Sequence, residues 1–354
     1  MFRIRALPAE YGDSLLIEYG QAGETNRMLI DCGPTGVYSD VLRPLIEGLS
    51  PNERRFELLV ITHVDADHIG GALPLLRDLE DLGVSIGEVW FNGFQHLPKA
   101  AIDPDEVDRS VRHGEQLSKL IFNRRLRWNT SFDENAVVVP DVGDLPEKAF
   151  KGMKLTLLSP YSRHLADLAK VWWEEIREAG IQAGQTASIP ETDGSWEDEV
   201  LRGTPDVRLL AESRVGRDTA VANGSSIAFL ASYDEKTVLF GADAFSGVLT
   251  DSLRRVRTPT ELAAFKVPHH GSAQNIDREL LASMHCKRHI ISTNGKRFGH
   301  PNPIAIAKLI SFAGGELHFN YQTPQNEMWM DSKLLEPKTY TVTYGGSEGS
   351  VIEL

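Results

Sequence analysis

The pattern of hydrophobic and polar positions in the first third of the chain predicts short strands and a few helices. Apolar-rich stretches bounded by Gly, Asp and Asn predict strands at residues 2–7, 14–19, 27–30, 58–62 and 84–91. Apolar residues at helical spacing predict helices at residues 41–49, 69–79 and 110–122. A polar stretch, residues 63–68, therefore lies between a buried strand and a helix, the usual place for chemistry in α/β proteins.

The rest of the chain contains a second strand-rich part. The same criteria predict strands at residues 153–158, 226–231, 237–240, 264–267, 289–292 and 340–344. They predict helices at residues 166–179 and 303–313, with a polar loop at residues 180–205. Because two strand-rich halves each carry helices, we predict an α/β (α+β) sandwich rather than a series of βαβ units. We assign residues 1–354 to one domain with an insertion at about residues 160–205.

Composition narrows the classes of protein and of partner. The 354 residues are 41% hydrophobic and 25% charged, which suits a globular protein with a sizeable core. A formal net charge of −13 argues against coating nucleic acid through a global positive field, although it permits a local basic groove. The two cysteines, Cys32 and Cys286, make no disulfide framework, which indicates a reducing compartment. Without a signal-peptide pattern or an apolar span of about 18 residues, we expect a cytoplasmic protein with no membrane partner.

Four side chains that can bind metal ions lie within one short stretch: His63, Asp65, Asp67 and His68. Imidazole nitrogens and carboxylate oxygens are ligands that Zn²⁺ and Mn²⁺ accept. In an extended stretch alternate residues share a face, so residues 63, 65 and 67 can converge while His68 reaches a second ion. A helix-capping loop would account for Asp67 alone and would leave both histidines unexplained. The stretch therefore predicts a metal centre.

This stretch resembles the signature of the metallo-β-lactamase superfamily, His-x-His-x-Asp-His, with Asp65 in place of the second histidine. The form found here, followed by Ile-Gly-Gly, resembles the branch that contains the ComEC-type competence nuclease domain and the phosphorylcholine esterases. Other segments resemble the family in order and spacing: Gly12-Asp13, Leu29-Ile30-Asp31-Cys32-Gly33, Leu239-Phe240-Gly241-Ala242-Asp243, Val267-Pro268-His269-His270-Gly271-Ser272 and Phe298-Gly299-His300-Pro301. The resemblance implies a four-layer αββα sandwich with metals at one edge between the sheets.

The resemblance also implies ligands for two divalent ions, with Zn²⁺ favoured and Mn²⁺ as the alternative. They are His63 and Asp65 for the first ion, Asp67 and His68 for the second, and Asp243 as a bridge between them. Either His269 or His270 would complete the second set, and we favour His269 because it lies nearer the end of its predicted strand. Taken alone, an aspartate after a strand would more often be a turn residue.

The chain departs from the family at one ligand. A histidine that usually precedes the strand leading to the bridging aspartate is absent, and residues 222–226 here read Ala-Asn-Gly-Ser-Ser. Asn223 in this segment is a candidate for contact with the substrate. His96, His113 and His164 could in principle supply the missing ligand, although we expect surface positions for all three.

The chemistry implied by the resemblance is hydrolysis. Two cations at such a centre acidify a water and neutralise the oxygens of a phosphate. Asp67 would orient this water and take its proton. His300, together with Ser272, would bind a substrate oxygen or protonate a leaving group, and a turn histidine held by Pro301 is the alternative interpretation.

Basic residues near these motifs favour an anionic substrate. Lys266 precedes the His-His segment and Arg297 precedes His300, so both are candidates for binding a phosphodiester, although short charge runs are usually solvated surface. We predict a hydrolase of phosphodiester bonds, and the ComEC-like motifs favour a nuclease acting on nucleic acid. The alternatives are a phosphodiesterase for a small molecule or a choline-type headgroup, and a metal-bound regulatory module gated by a protein partner from the same operon.

Overall fold

Two β-sheets lie face to face in the computed structural model, which describes the chain except residues 22, 99–114, 179–204, 257–260, 332–333 and 335–338. The first sheet contains β1 (Phe2–Ala6), β2 (Leu15–Gln21), β3 (Glu24–Ile30), β5 (Leu58–Val60), β7 (Val89–Trp90) and β18 (Ser350–Glu353). Their order is β18-β1-β2-β3-β5-β7. Strands β3, β5 and β7 run parallel, whereas the pairings among β18, β1, β2 and β3 are antiparallel.

The second sheet is larger. It contains β8 (Glu147–Phe150), β9 (Met153–Ser159), β10 (Ala228–Tyr233), β11 (Lys236–Phe240), β13 (Ala264–Lys266), β15 (Arg288–Ile291), β16 (Gly315–Phe319) and β17 (Tyr340–Tyr344). Their order is β17-β16-β15-β13-β11-β10-β9-β8, with all pairings from β11 to β17 parallel. Two small ribbons pair β4 (Arg55–Phe56) with β6 (Ser85–Ile86) and β12 (Glu261–Leu262) with β14 (His285–Cys286).

Helices cover the outer faces of both sheets. Those of the first half are Thr35–Val37, Arg43–Glu47, Ala66–Ile69, Ala72–Arg77, Leu79–Leu82, Gln116–Asn123 and Ser162–Glu178. Those of the second half are Val207–Ala211, Val221–Gly224, Ser246–Arg255, Arg278–Ala282, Pro303–Lys308 and Pro324–Glu327. In the described part of the chain, none of these helices has the length and apolarity to cross a membrane.

The alternation of side chains along each strand separates the hydrophobic core into layers. In β5, Leu58 and Val60 face the core between the two sheets, whereas Leu59 faces the helices outside the first sheet. In β11, Val238 faces the core between the sheets and Leu239 faces the helices outside the second sheet. This arrangement of helices, sheet, sheet and helices confirms the expected αββα sandwich.

Several element boundaries differ from the sequence-based expectation. The helix predicted at residues 69–79 is broken into Ala66–Ile69 and Ala72–Arg77. Gly70 and Gly71 lie at the break, where a Cβ atom would come 2.7 Å from the backbone nitrogen of Thr35 and 2.3 Å from the carbonyl oxygen of Cys32, respectively. Residues 179–204, which are most of the insertion expected at about 160–205, lie outside the described residues. The helix predicted at 110–122 is described from residue 115 onward and corresponds there to Gln116–Asn123.

Trp90 provides a test of the core between the sheets. Its ring centroid lies 5.2 Å from that of Phe132, 5.6 Å from that of Phe150 and 6.1 Å from that of Phe229. We expect Trp90→Ala to lower the free energy of unfolding by about 3–5 kcal/mol, because it removes a large buried ring and leaves a cavity. Urea denaturation measures this loss. Phe122→Ala is the control, since Phe122 is 78% exposed, and a comparable loss in that variant would contradict the prediction.

Candidate metal centre

Polar side chains collect at the edge where parallel strands of both sheets end. In the first sheet, Asp31 follows β3 and His63 lies three residues beyond the end of β5. In the second sheet, Asp243 follows β11 and His270 follows β13. Because the carboxyl ends of parallel strands share one edge of a sheet, the loops that leave both sheets there can bring these side chains together.

One set of converging atoms, the His68–His270 group, consists of Asp67, His68, Asp243 and His270. The Nε2 atoms of His68 and His270 are 3.2 Å apart, and His270 Nε2 lies 3.3 Å from Asp67 Oδ2. Asp243 Oδ2 lies 3.4 Å from His68 Nε2 and 3.7 Å from His270 Nε2. Ligands about 2.1 Å from a tetrahedral ion are about 3.4 Å from one another, so these spacings fit one divalent cation.

Hydrogen bonds at Nδ1 of His68 and His270 determine which ring nitrogen of each can bind a metal ion. His68 Nδ1 lies 2.8 Å from Asp31 Oδ2, and His270 Nδ1 lies 3.0 Å from the carbonyl oxygen of Ser292. Since carboxylate and carbonyl oxygens only accept, each Nδ1 donates, and each neutral ring presents the lone pair of Nε2. Two facing lone pairs repel each other unless a proton or a metal cation lies between them. The residues present therefore fit a bound metal ion.

The same group carries strongly shifted pKa values. Burial alone would lower the pKa of His270, but the carboxylates of Asp243 and Asp13 outweigh burial and raise it to about 10. Burial alone would raise the pKa of Asp67, but His270 and His68 lower it to about 2. A divalent cation that binds these imidazoles must therefore displace protons from them.

A second set of atoms, the His63–His269 group, shares Asp243 and adds His63, Asp65 and His269. His63 Nε2 lies 3.4 Å from Asp65 Oδ2 and 3.9 Å from Asp243 Oδ2, and His269 Nε2 lies 3.8 Å from the same oxygen. Among the residues that the structure describes, His63 Nε2 and Asp243 Oδ1 are buried without a hydrogen-bond partner. Buried polar atoms of this kind are rarely left alone, and a cation would satisfy both.

An unusual backbone turn allows two successive histidines to serve different groups. His269 has φ +47° and His270 has φ +52°, and Gly271 continues the left-handed run at φ +85°. Non-glycine residues in this region cost about 1–3 kcal/mol each and tend to occur at functional sites. The turn directs the His270 ring toward Asp67 and the His269 ring toward Asp243.

One protein-family model matches part of the chain. Residues 7–150, which include the loop with His63, Asp65, Asp67 and His68, match the family model described as the metallo-beta-lactamase superfamily. The protein has the metallo-β-lactamase fold. A search of curated proteins finds no match to the chain.

Solved structures of proteins with related folds resemble the chain distantly. The metallo-β-lactamase fold protein YhfI from Bacillus subtilis is 11% identical, with a TM-score of 0.44 and 100% of both chains covered. Zn²⁺-bound PqqB from Methylobacterium extorquens is 14% identical, with a TM-score of 0.43, 99% of this chain and 100% of that chain covered. The diiron β-hydroxylase CmlA from Streptomyces venezuelae is 12% identical, with a TM-score of 0.35, 100% of this chain and 54% of that chain covered.

The structure does not support the choice of His269 for the second ligand set. His270 is the histidine that lies beside Asp67 and His68, because the left-handed turn separates the two neighbouring rings. Asn223 is buried, and its Nδ2 atom donates to Asp218 Oδ2 at 2.8 Å. It therefore supports the side chains behind His269 and does not face an open substrate surface.

The three histidines proposed as replacement ligands lie away from both groups or outside the described residues. His96 is buried against Trp128, with the ring centroids 4.6 Å apart, so the expected surface position was wrong. His164 stacks on Tyr161 at 6.0 Å between ring centroids. His113 lies outside the described residues.

Lys266 is a correction to the sequence-based assignment of substrate contacts. Its side chain is fully buried, with Nζ 2.6 Å from Asp13 Oδ2 and 3.0 Å from the carbonyl oxygen of Val267. Asp13 Oδ1 in turn lies 3.5 Å from His270 Nδ1. Lys266 therefore neutralises a carboxylate behind the His68–His270 group, where no polymer can reach it.

Two further predicted site residues, His300 and Ser272, lie beside His269. The His300 ring centroid is 5.2 Å from that of His269, and burial, together with His269 and His270, lowers the pKa of His300 well below its usual range. A neutral imidazole can bind a substrate oxygen but holds no extra proton for a leaving group. Ser272 is buried, and its Oγ atom accepts from the backbone nitrogen of Gln274 at 3.3 Å. It therefore orders the loop.

Two residues that the sequence analysis missed hold His269 in place. Asn275 Oδ1 lies 3.0 Å from His269 Nδ1, and Asp218 Oδ2 lies 3.3 Å from the same atom. Asn275 Nδ2 also donates to Asp218 Oδ2 at 2.9 Å. Asp218 stands in a polar stretch without a motif, so only the proximity of Asn275 to the His-His segment offered a signal.

We expect Lys266→Met to lower the free energy of unfolding by about 3–5 kcal/mol, because it leaves the buried Asp13 carboxylate without its cation. Urea denaturation of the metal-free protein measures the loss. The double variant Asp13→Asn/Lys266→Met should recover most of it, since neither charge then remains. Lys236→Met at an exposed position is the control, and a loss there equal to that of Lys266→Met would contradict the role of the buried pair.

Proposed function

We propose that this protein is a metal-dependent hydrolase of phosphodiester bonds and that nucleic acid is its substrate. The observation that carries the proposal is the convergence of imidazole and carboxylate atoms on Asp243 in two groups. Three of the four distances to Asp243 Oδ2, 3.7–3.9 Å, are too long for hydrogen bonds, whereas atoms that share one cation lie about 3.4 Å apart.

The proposed ligands follow from the two groups. The His68–His270 group would hold one ion through Asp67, His68, His270 and Asp243, and the His63–His269 group would hold the other through His63, Asp65, His269 and Asp243. In this assignment His269 compensates for the histidine that the family usually has near residue 223. A set of imidazoles and carboxylates suits Zn²⁺ first and Mn²⁺ as the alternative.

The chemistry is divided between the cations and the protein. Two divalent cations, when bound, would polarise the oxygens of a phosphate and lower the pKa of a water molecule. The side chain of Asp67 is 13% exposed and remains ionised at neutral pH, so it can accept a hydrogen bond from the attacking water and orient it. Neutral His300 can donate a hydrogen bond to a substrate oxygen.

Two features favour a phosphodiester over the other substrates that hydrolases with this fold cleave. The segment His63-Val-Asp-Ala-Asp-His-Ile-Gly-Gly resembles the ComEC-like branch, and Val267-Pro-His-His-Gly-Ser resembles the His-His-Gly-Ser segment of the superfamily. Arg297 packs on Tyr11, next to the Gly12 that contacts Asp67, and adds local positive charge to an acidic protein with a net charge of −13. A choline-type headgroup is less compatible, because the positive charge of Arg297 beside the rings of Tyr11 and Phe298 would repel a quaternary ammonium group.

Replacement of Asp67 tests the proposed function. We expect Asp67→Ala to lose at least about 100-fold in kcat while the protein keeps its fold, because the exchange removes a proton acceptor at a partly exposed position. Cleavage of single- and double-stranded DNA and RNA and of bis-p-nitrophenyl phosphate is measured with Zn²⁺, with Mn²⁺ and with chelator.

The matched control is Asp81→Ala, an exposed carboxylate on another helix. Metal-dependent cleavage of nucleic acid that Asp67→Ala abolishes and Asp81→Ala retains supports the nuclease. Cleavage of the small diester alone supports the small-molecule alternative, and wild-type turnover in Asp67→Ala contradicts the mechanism.

The two adjacent histidines should differ in their effects on metal binding. We expect His270→Ala and His269→Ala each to reduce the tightly bound metal by about one ion per chain, since each removes one ligand from a different group. Metal content after dialysis measures this directly, and the double variant should lose both ions. An unchanged content in His269→Ala would rule out its place in the His63–His269 group.

A further inference from the structure

Three side chains beside the centre, the rim cluster, form a patch of aromatic and cationic character: the half-buried Tyr11 and Arg297 and the exposed Phe298. The guanidinium carbon of Arg297 lies 4.7 Å from the ring centroid of Tyr11 and 4.9 Å from that of Phe298. The two rings are 6.2 Å apart with planes at 75°. Within the described residues, no carboxylate forms an ion pair with Arg297, so its charge remains available to an anion.

The rim cluster is fixed relative to the metal centre. Gly12, next to Tyr11, packs so tightly on the centre that a Cβ atom there would lie 1.9 Å from the carbonyl oxygen of Asp67. The loop carrying Phe298 is joined to the same segment, since the backbone nitrogen of Asn294 donates to the carbonyl oxygen of Glu10 at 2.7 Å. His300 connects the two regions, with its ring centroid 6.4 Å from Phe298 and 5.2 Å from His269.

Phe298 has two properties that packing does not explain. The residue is 44% exposed, so a large part of its surface gains nothing from burial. Its backbone has φ +62°, a region that bulky residues rarely adopt and that tends to mark functional sites. A lone exposed aromatic residue would need no explanation, but a strained one that contacts an arginine beside a metal centre does.

We propose that the rim cluster binds an unpaired base of a single-stranded nucleic acid, with the base stacked on Phe298 and a neighbouring phosphate bound by Arg297. This inference rests on the proposed function and narrows its substrate. Aromatic rings and arginine together are the usual means by which proteins hold single strands without reading their sequence. The bases of a duplex are stacked inside the helix and are not available to the ring, so single strands should bind more tightly.

The test compares a short fluorescein-labelled single-stranded oligonucleotide with an abasic one of the same length and charge. Binding is measured by fluorescence anisotropy with Zn²⁺ in the Asp67→Ala background, so that cleavage does not interfere. We expect Phe298→Ala to weaken binding of the ordinary oligonucleotide about tenfold and to leave the abasic one nearly unchanged. Phe298→Trp should retain binding, and Phe298→Leu should behave like Phe298→Ala, because the leucine keeps apolar bulk without a ring.

Phe122→Ala is the matched control, since Phe122 is an exposed phenylalanine on the helix Gln116–Asn123. Equal losses on both oligonucleotides, or none on either, would overturn the inference. With Asp67 intact, the ratio of kcat/KM for the ordinary over the abasic strand should also fall about tenfold in Phe298→Ala. If the wild-type protein cleaves neither strand, the proposed function fails, and the binding comparison still decides the role of the rim cluster.

Discussion

The buried carboxylate of Asp243 is the contact on which the rest of the centre depends. Its Oδ2 atom lies 3.4–3.9 Å from the Nε2 atoms of four histidines, two from a loop of the first sheet and two from a loop of the second. Burial alone would raise the pKa of Asp243, but the histidines lower it well below its usual range. So many ionisable groups at this depth are stable only if they neutralise one another or share cations, and they therefore constrain how the two sheets meet.

Hydrogen bonds and a buried ion pair next to the centre restrain the histidine rings. Asp31 accepts hydrogen bonds from the backbone and side chain of Thr62 and contacts His68, so one carboxylate orients both ends of the loop that carries the first ligands. Asp13 and Lys266 form a buried pair beside His270. These restraints leave the ligand rings few alternative positions, which favours a preorganised site over one that forms around its ion.

Sequence reasoning predicted the strands with clear apolar runs, such as Tyr340–Tyr344, and the dense cluster from His63 to His68. It missed β16, Gly315–Phe319, because the alternation of polar and apolar residues there is short and begins beside two glycines. It favoured His269 over His270 for the second ligand set, because the left-handed turn that places His270 beside Asp67 cannot be predicted from the residue types. Lys266 was misassigned for a related reason: a lysine signals charge, while its burial depends on a partner 253 positions away.

That separation along the chain also has a consequence for the order of events during synthesis. Asp13 and the first ligands emerge from the ribosome before Lys266 and His270, and at ordinary elongation rates the interval is on the order of tens of seconds. Throughout that time the nascent N-terminal half carries carboxylates and imidazoles whose partners do not yet exist. The two halves must therefore dock before the centre can close, and a newly made chain can acquire its full complement of ligands only as one of the last steps of its maturation.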